Sequence, residues 1–594
     1  MKLQQTNHDL LQQFLSQEST PRWRCTIEVL QKSSPDRRTE ETIYKLEDAR
    51  VSHMVKDICL GQPPTSAVLR TCNLEKVIKE TADNRRSGLP RLNDDQIAAI
   101  KKSLENQFTV IQGPPGTGKS YTASYLAYGF SIVNSLEGSH VGDKMRRHNR
   151  AKVLYCAPSN KAVDVAADYL KHFELKVIRM YSKNIEGHDF KIHGWTNSKH
   201  RKQGYQAECS PANRSIALHH VIRSSTSKYG KRIREFDKTF SRSEDKVSKK
   251  DYDEYRSLIQ KAEMEALGCC DIILCTCSEA ASKRLRDVNI GQCIIDEAGM
   301  STEPETLVPL VRTNPAQIIL IGDHRQLQPI VSHNLSKQLG LAISLLERYC
   351  DVGFFFRLKT QYRMHREICA FPNQQFYNND LRTADIVEKR MGVRHQIDEI
   401  WPGGRDFPMV LCDVVGKEVT SSVTTEEGNE QSKKNLEEVK EIVRITKMLT
   451  GRYGVYQSRL QILSQYNSQC FEIKQELRKA GCQDVGVSSV IGFQGSEKDY
   501  ILLSTVRSLP WQEIEDNPTK GWLKANLGFV TDEHQTNVAL TRARRGLIIV
   551  GNKNLLKTDT TWGALIKHYE ERNCIVKARD FPSVHQKKNL RPNE

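Results

Sequence analysis

No run in these 594 residues approaches the roughly 20 consecutive apolar residues of a membrane-spanning helix. Residues 1–15 are polar and glutamine-rich with no apolar centre, so no secretory leader is expected. The 16 cysteines include no CxxC pair. Their nearest neighbours, Cys269 with Cys270 and Cys275 with Cys277, lack zinc-finger or zinc-ribbon spacing. Cys156, Cys275 and Cys293 sit inside apolar runs, where a free thiol acts as a small hydrophobe. Reduced thiols in an intracellular protein, cytoplasmic or nuclear, are the expectation. A zinc site gathered from cysteines and histidines distant in sequence stays open. The chain also has no short-period repeat and no long low-complexity tract.

Charge of one sign is in surplus. Lys and Arg number 88 against 72 Asp and Glu, a difference of 16. Such an excess suggests a polyanionic partner, nucleic acid first, and on charge alone fits a basic but otherwise ordinary enzyme equally well. Hydrophobic residues at 38% and charged residues at 27% fit soluble globular domains.

Residues 112–120 read QGPPGTGKS, directly after the apolar run 108–111. A strand running into GxxxxGK[ST] and then a helix, here 121–133, is the P-loop arrangement. In the turn Gly113, Pro114, Pro115, Gly116, Thr117 and Gly118, the backbone N–H groups of the non-proline residues cradle phosphates. Lys119 reaches the β- and γ-phosphates, and the Ser120 hydroxyl holds Mg²⁺.

From about residue 91 the pattern is αβαβ. Strands are expected at 108–111, 153–157, 272–276, 293–295 and 318–321, and in a second series at 461–464, 485–490, 500–505 and 547–550. Two such blocks imply two stacked parallel sheets with a cleft between them, and ligands at the carboxyl ends of the strands. Residues 183–265 break the rhythm. They are strongly charged, with KHRK at 199–202, and Tyr252, Tyr255, Ile259, Ala262 and Ala266 fall at helical spacing. An inserted helical subdomain is expected, its basic face either a nucleic-acid contact or simply solvated. Residues 1–90 hint at a small accessory module with β-leaning runs such as 25–30.

Further motifs follow the strands. CIIDEA at 293–298 ends in Asp296 and Glu297; the first suits Mg²⁺, the second the attacking water. Alone, such a pair is most often a surface pair, but the end of an apolar strand downstream of a P-loop is a stronger setting. GDHRQLQP at 322–329 offers Gln326 to a γ-phosphate. QYRMH at 361–365 and NVALTRAR at 537–544 offer Arg363 and Arg542, whose guanidinium groups suit the charge that develops in phosphoryl transfer. Isolated arginines would read as surface ion pairs.

The ordered set QGPPGTGKS, APSNKAVD, DEAGMSTEPE, GDHRQLQP, QYRMH, GFQGSEKD and NVALTRAR resembles superfamily 1 helicases. It is most similar to the branch of the nonsense-mediated-decay RNA helicase and senataxin, over about residues 90–555. The resemblance implies an α/β fold of two tandem RecA-like P-loop domains, 91–345 with the helical insertion at about 183–265, and 346–575. Before them stands a small N-terminal accessory region, 1–90, as a partial β-barrel or stalk, and after them a basic tail, 576–594. It implies ATP between the domains, with Lys119 and Ser120 on phosphate and Mg²⁺, Asp296 on Mg²⁺ and Glu297 on water. Gln326 couples γ-phosphate to nucleic acid, and Arg363 and Arg542 act as arginine fingers. Gln96 of LNDDQ reads adenine, Tyr362 stacks on the base, and Glu497 sits at the nucleotide and the hinge. Ser159, Asn160 and Thr276 grip the nucleic-acid backbone, which needs small polar groups without sequence readout.

The implied function is a 5′-to-3′ ATP-dependent helicase or translocase on single-stranded nucleic acid, RNA before DNA, working as a monomeric motor with RNP or RNA-processing proteins. The rivals are an ATP-regulated RNA-binding clamp or RNP scaffold, and a non-helicase P-loop motor. One departure stands out. Related proteins usually carry arginine just before NVALTRAR, where this chain reads DEHQT (532–536), and a weaker support for Arg542 is expected there.

Overall fold

Apolar runs too short for helices pair as strands, and in this chain they build two parallel sheets. The computed structural model describes residues 33–64, 67–68, 72–82, 88–137, 150–190, 209–242, 248–392, 396–425 and 428–582. The first sheet contains β1 (Phe108–Gln112), β2 (Lys152–Ala157), β3 (Val177–Arg179), β4 (Ile272–Thr276), β5 (Ile290–Ile295), β6 (Gln317–Gly322) and β7 (Phe356–Arg357). Its order is β3-β4-β2-β5-β6-β1-β7, with every neighbouring pair parallel. A two-stranded sheet of β8 (Thr360–Gln361) and β9 (Arg382–Thr383) follows. The second large sheet contains β10 (Met409–Asp413), then, beyond the antiparallel hairpin of β11 (Glu418–Thr425) and β12 (Gly428–Asn435), β13 (Leu460–Ser464), β14 (Gly486–Ser489), β15 (Lys498–Ser504), β16 (Ala543–Gly551) and β17 (Ile575–Lys577). Its order is β14-β13-β15-β16-β10-β17, again parallel throughout.

Alternation along each strand splits the core into two layers per sheet, as a period of two requires. In the first, Phe108, Val110, Leu154, Ile273 and Ile295 face one layer, while Ile111, Val153, Tyr155, Ile272 and Ile294 face the other. In the second, Met409, Leu411, Leu463 and Ile501 oppose Val410, Cys412, Ile462 and Leu502. All cysteines among the described residues are free, and most are buried. No helix among those residues is long and apolar enough to cross a membrane.

Nine expected strands appear with bounds shifted by a few residues. The sheet edges β3, β7 and β17, two or three residues each, carry too little pattern to be seen in sequence. β10 is a fully buried run, MVLCD, outside the expected strands.

The insertion is helical in its described parts, with helices Lys183–Asp189, Leu218–Val221, Gly230–Arg242 and Lys249–Cys269. Tyr255 and Ala262 are buried, and Ile259 and Ala266 pack beside them, on the stripe expected from spacing. KHRK at 199–202 lies outside the described residues.

Three boundaries differ from expectation. The described part of 33–90 forms helices Ser34–Lys45, His53–Cys59 and Leu74–Ala82, with no strand beyond one isolated bridge at Ala67; the run 25–30 lies outside it. Ser33 and Ser52 accept N-cap bonds that start two of these helices, and Val55, Ile58 and Val77 bury their faces in the first unit's cores. The first unit also runs past 345. Leu345, Leu346 and Tyr349 pack with Phe108, and β7 pairs with β1. Last, residues 576–582 are packed rather than tail-like, because β17 pairs with β10 and Ala578 and Phe581 enter the core.

Candidate nucleotide and nucleic-acid site

The motif residues follow β1, β5 and β6, adjacent strands or next neighbours, so the topology brings them to one edge of the first sheet. Gly113 N–H donates to Gly322 O at 2.9 Å, tying the loop after β1 to the loop after β6. The P-loop needs its glycines. Gly116 and Gly118 have φ of 76° and 79°. A Cβ at Gly113 would collide with Lys119 Cγ, and one at Gly116 would lie 2.7 Å from Arg363 Cβ. The Thr117 hydroxyl donates to Pro114 O at 2.7 Å, which fixes the turn through Pro114 and Pro115. Lys119 and Ser120 open the helix Lys119–Glu137, whose N-terminal end favours anions. Lys119 Nζ donates to Gly113 O at 2.9 Å, folded back across the cradle.

Asp296 is fully buried, receiving Tyr155 Oη–H at 2.7 Å and the Glu297 N–H at 2.9 Å. Glu297 has φ 52°, left-handed for a non-glycine residue. Such a conformation costs about 1–3 kcal/mol and is held only where the surroundings demand it. Burial raises the Glu297 pKa, Lys119 opposes the rise, and Asp296 adds to it. A carboxylate so placed is a better proton acceptor than a solvated one.

The second unit reaches this edge through two arginines. Arg542 is buried, its Nε donating to Val538 O at 2.9 Å and one Nη to Gln326 Oε1 at 3.1 Å. Burial, then Arg363, lowers its pKa below the ordinary arginine value, so an added negative charge would be welcome there. Gln326 Nε2 in turn donates to Asp323 Oδ2 at 2.6 Å. Arg363 pairs with Glu497 and donates to Thr541 O at 3.1 Å. Burial alone would raise Glu497, but Arg363 and Arg544 outweigh it and hold the carboxyl at about 2.

Gln96 and Tyr362 brace the loop. Gln96 closes a capping box with Asn93 and donates to Thr117 O at 3.1 Å. Tyr362 N–H donates to Gly116 O at 2.8 Å, and its hydroxyl accepts from Asn93 Nδ2 at 2.7 Å.

Ser159, Asn160 and Thr276 lie apart from the P-loop, at the ends of β2 and β4, where Ala157 and Thr276 are register partners. The exposed Ser159 caps its helix by accepting from Ala162 N–H at 3.2 Å. Asn160 Oδ1 accepts from Arg179 at 2.8 Å, and Thr276 accepts weakly from Glu279 N–H at 3.4 Å.

Several residues were not singled out from sequence. Asp323 is a hub that also accepts from Tyr377 Oη–H at 2.8 Å, and Asn537 Nδ2 donates both to Tyr377 Oη and to Arg325 O, at 2.8 and 2.7 Å. Asp323 lies within GDHRQLQP and Asn537 within NVALTRAR. Tyr155 and Tyr377 gave no signal, because a buried tyrosine reads as an apolar residue. In the DEHQT departure, His534 Nδ1 lies 2.7 Å from Gln326 O, and Gln535 bonds Asp532 at 2.9 Å. Arg542 is supported instead by Gln326, Val538 O and Ser496 O.

Two family models, both described as AAA domain, match residues 91–334 and 341–554. The human protein "3'-5' exoribonuclease HELZ2" is 40% identical over 93% of this chain and 19% of its own length. The Arabidopsis thaliana "Regulator of nonsense transcripts 1 homolog" is 33% identical over 82% of this chain and 35% of its own. The Saccharomyces cerevisiae "ATP-dependent helicase NAM7" is 33% identical over 82% and 44%. The chain thus spans less than half the length of each of these relatives. With both domain models matched in tandem over the two sheets, and the motif loops assembled at one edge, the chain belongs to the superfamily 1 helicases of the nonsense-mediated-decay type.

Proposed function

We propose that this chain is an ATP-driven motor that moves 5′ to 3′ along single-stranded nucleic acid, RNA in preference to DNA, and unwinds duplexes or remodels RNPs. The observation that carries the reading is the bond between Arg542 of the second unit and Gln326 of the first, at 3.1 Å. It joins the two units beside the P-loop, so occupancy of that loop and the closeness of the units are physically linked.

The glycine cradle fits a triphosphate, since a Cβ at Gly113 or Gly116 would fill it. Ser120 and Asp296 are the hard oxygen donors suited to Mg²⁺. Mg²⁺ held by them would supply positive charge that offsets the negative charge developing in the transfer. Glu297 takes the proton of the attacking water. Lys119 holds the β- and γ-phosphates, and Arg363 and Arg542 stabilise charge on the transferring group once freed from Glu497 and Gln326. Gln96 and Tyr362 take the base from the side of the loop that they already brace. Ser159 and Asn160, just after β2, and Thr276, at the end of β4, are the backbone grip of the first unit, which supports low sequence preference and steep salt dependence.

Steady-state ATP hydrolysis, alone and with single-stranded RNA or matched DNA, tests the reading. Stimulation by RNA well above that by DNA is expected. Tight RNA binding without hydrolysis would replace the motor by an ATP-regulated clamp.

A further inference from the structure

Away from the nucleotide edge, four side chains of the insertion converge. Asp189 ends the helix Lys183–Asp189, and His219 and His220 lie on the short helix Leu218–Val221. Cys209 lies between them in sequence. One ligand atom from each lies within 4.8 Å of all the others. Four ligands at about 2.0–2.3 Å from a tetrahedral zinc ion stand about 3.3–3.8 Å apart, so small adjustments bring this set to coordination distance.

Three features separate the cluster from an ordinary polar contact. Successive residues on a helix project about 100° apart, yet both imidazoles turn Nε2 onto one oxygen, Asp189 Oδ2, each at 2.8 Å. Their ring centroids stand 4.5 Å apart. The Cys209 thiol is buried beside them and makes a long 3.6 Å contact to the Ser210 carbonyl. His219 is 3% exposed, and its Nδ1 finds no hydrogen-bond partner among the described residues. The rings of Tyr181 and Phe190 pack edge-on against the histidines, and the guanidinium of Arg223 is already matched by Asp237. A carboxylate and a thiolate together balance a divalent cation, and the mixed S, N, N, O set is one that zinc accepts and that Mg²⁺ and Ca²⁺ do not.

We propose that Asp189, Cys209, His219 and His220 form a structural zinc site that ties the helix Lys183–Asp189 and Cys209 to the short helix Leu218–Val221. With four protein ligands the site is closed, so its role is to hold the insertion together rather than to activate water.

The full chain, purified through chelating resin to strip loose metal, is analysed by elemental mass spectrometry. About one zinc per chain is expected, falling towards none in Cys209→Ser and in the His219→Ala/His220→Ala pair. Cobalt added to the zinc-stripped wild type should give a thiolate-to-cobalt charge-transfer band that Cys209→Ser lacks. Should the variants fail to fold, alkylation of the wild type mapped by mass spectrometry decides: zinc should shield Cys209 and a strong chelator should expose it, with Cys412 unchanged. Absence of stoichiometric zinc together with absence of a cobalt band in the wild type overturns the site. So does full zinc retention in folded variants, or Cys209 labelling indifferent to zinc.

Discussion

The two units contribute to the nucleotide edge in opposite ways. The first supplies P-loop groups held by partners a few residues away in the chain: Lys119 on Gly113 O and Thr117 on Pro114 O. The second supplies arginines held by groups from elsewhere. Arg542 leans on Gln326, 216 residues away, and Arg363 on Glu497, 134 residues away. The first half is therefore a receptor built locally, and the second a set of charges parked on exchangeable partners. Phosphate binding asks little rearrangement of the first half and a change of partners in the second. That is how hydrolysis can report on the closeness of two units.

Breaking the local half should cost most. Lys119→Ala is expected to lower ATP turnover by about a thousandfold or more, to background. Near-normal steady-state turnover would remove the P-loop assignment. Breaking the parked half should come next. Arg542→Ala is expected to lower kcat by about a thousandfold while KM for ATP changes little, because its charge matters most in the transition state. A matching rise in KM instead would make Arg542 a ground-state binding group.

The link between the halves should matter less. Tyr377→Phe removes one hydroxyl from the chain Asp323–Tyr377–Asn537. A lost buried hydrogen bond is worth about 1 kcal/mol, or about fivefold. The expected result is a drop of that order in nucleic-acid-stimulated turnover, with basal turnover less affected.

The smallest effect on turnover lies within the second unit. Glu438 is fully buried, accepting from Ser504 Oγ at 2.5 Å and Val506 N–H at 2.9 Å. Burial outweighs these bonds and pushes its carboxyl from an ordinary 4.5 up to about 8. The folded chain therefore binds this proton more tightly than the unfolded one. Its contribution is complete below about pH 4.5 and is lost as pH rises towards 8. Thermal melts of Glu438→Gln should show a weaker fall in Tm between pH 6 and pH 8.5 than wild type, with turnover at pH 7 unchanged. Parallel Tm profiles would contradict the buried neutral carboxyl.

The same contrast explains what the sequence made legible. The P-loop, Asp296 and Glu297 sit within a few residues of a strand end, so spacing alone exposes them. Partners of Arg363 and Arg542 lie far away in the chain, and only the fold brings them together. Tyr155 hides in an apolar strand, and Tyr377 ends a helix in the polar stretch NQQFYNND, outside every motif. The two- and three-residue edge strands β3, β7 and β17 carry too little pattern, and their pairing is decided by neighbouring strands. The cluster of Asp189, Cys209, His219 and His220 lacks any motif spacing, and the open question of a zinc site from distant residues takes a concrete form only in three dimensions.

The most direct measurement is the release rate of single-stranded RNA from Glu297→Gln and from wild type, each with saturating ATP and Mg²⁺. If the edge is one nucleotide site shared by two units, the variant binds ATP, cannot activate the water, and should release RNA many times more slowly than wild type. Equal release rates would contradict both the role of Glu297 and the coupling of the two units through ATP.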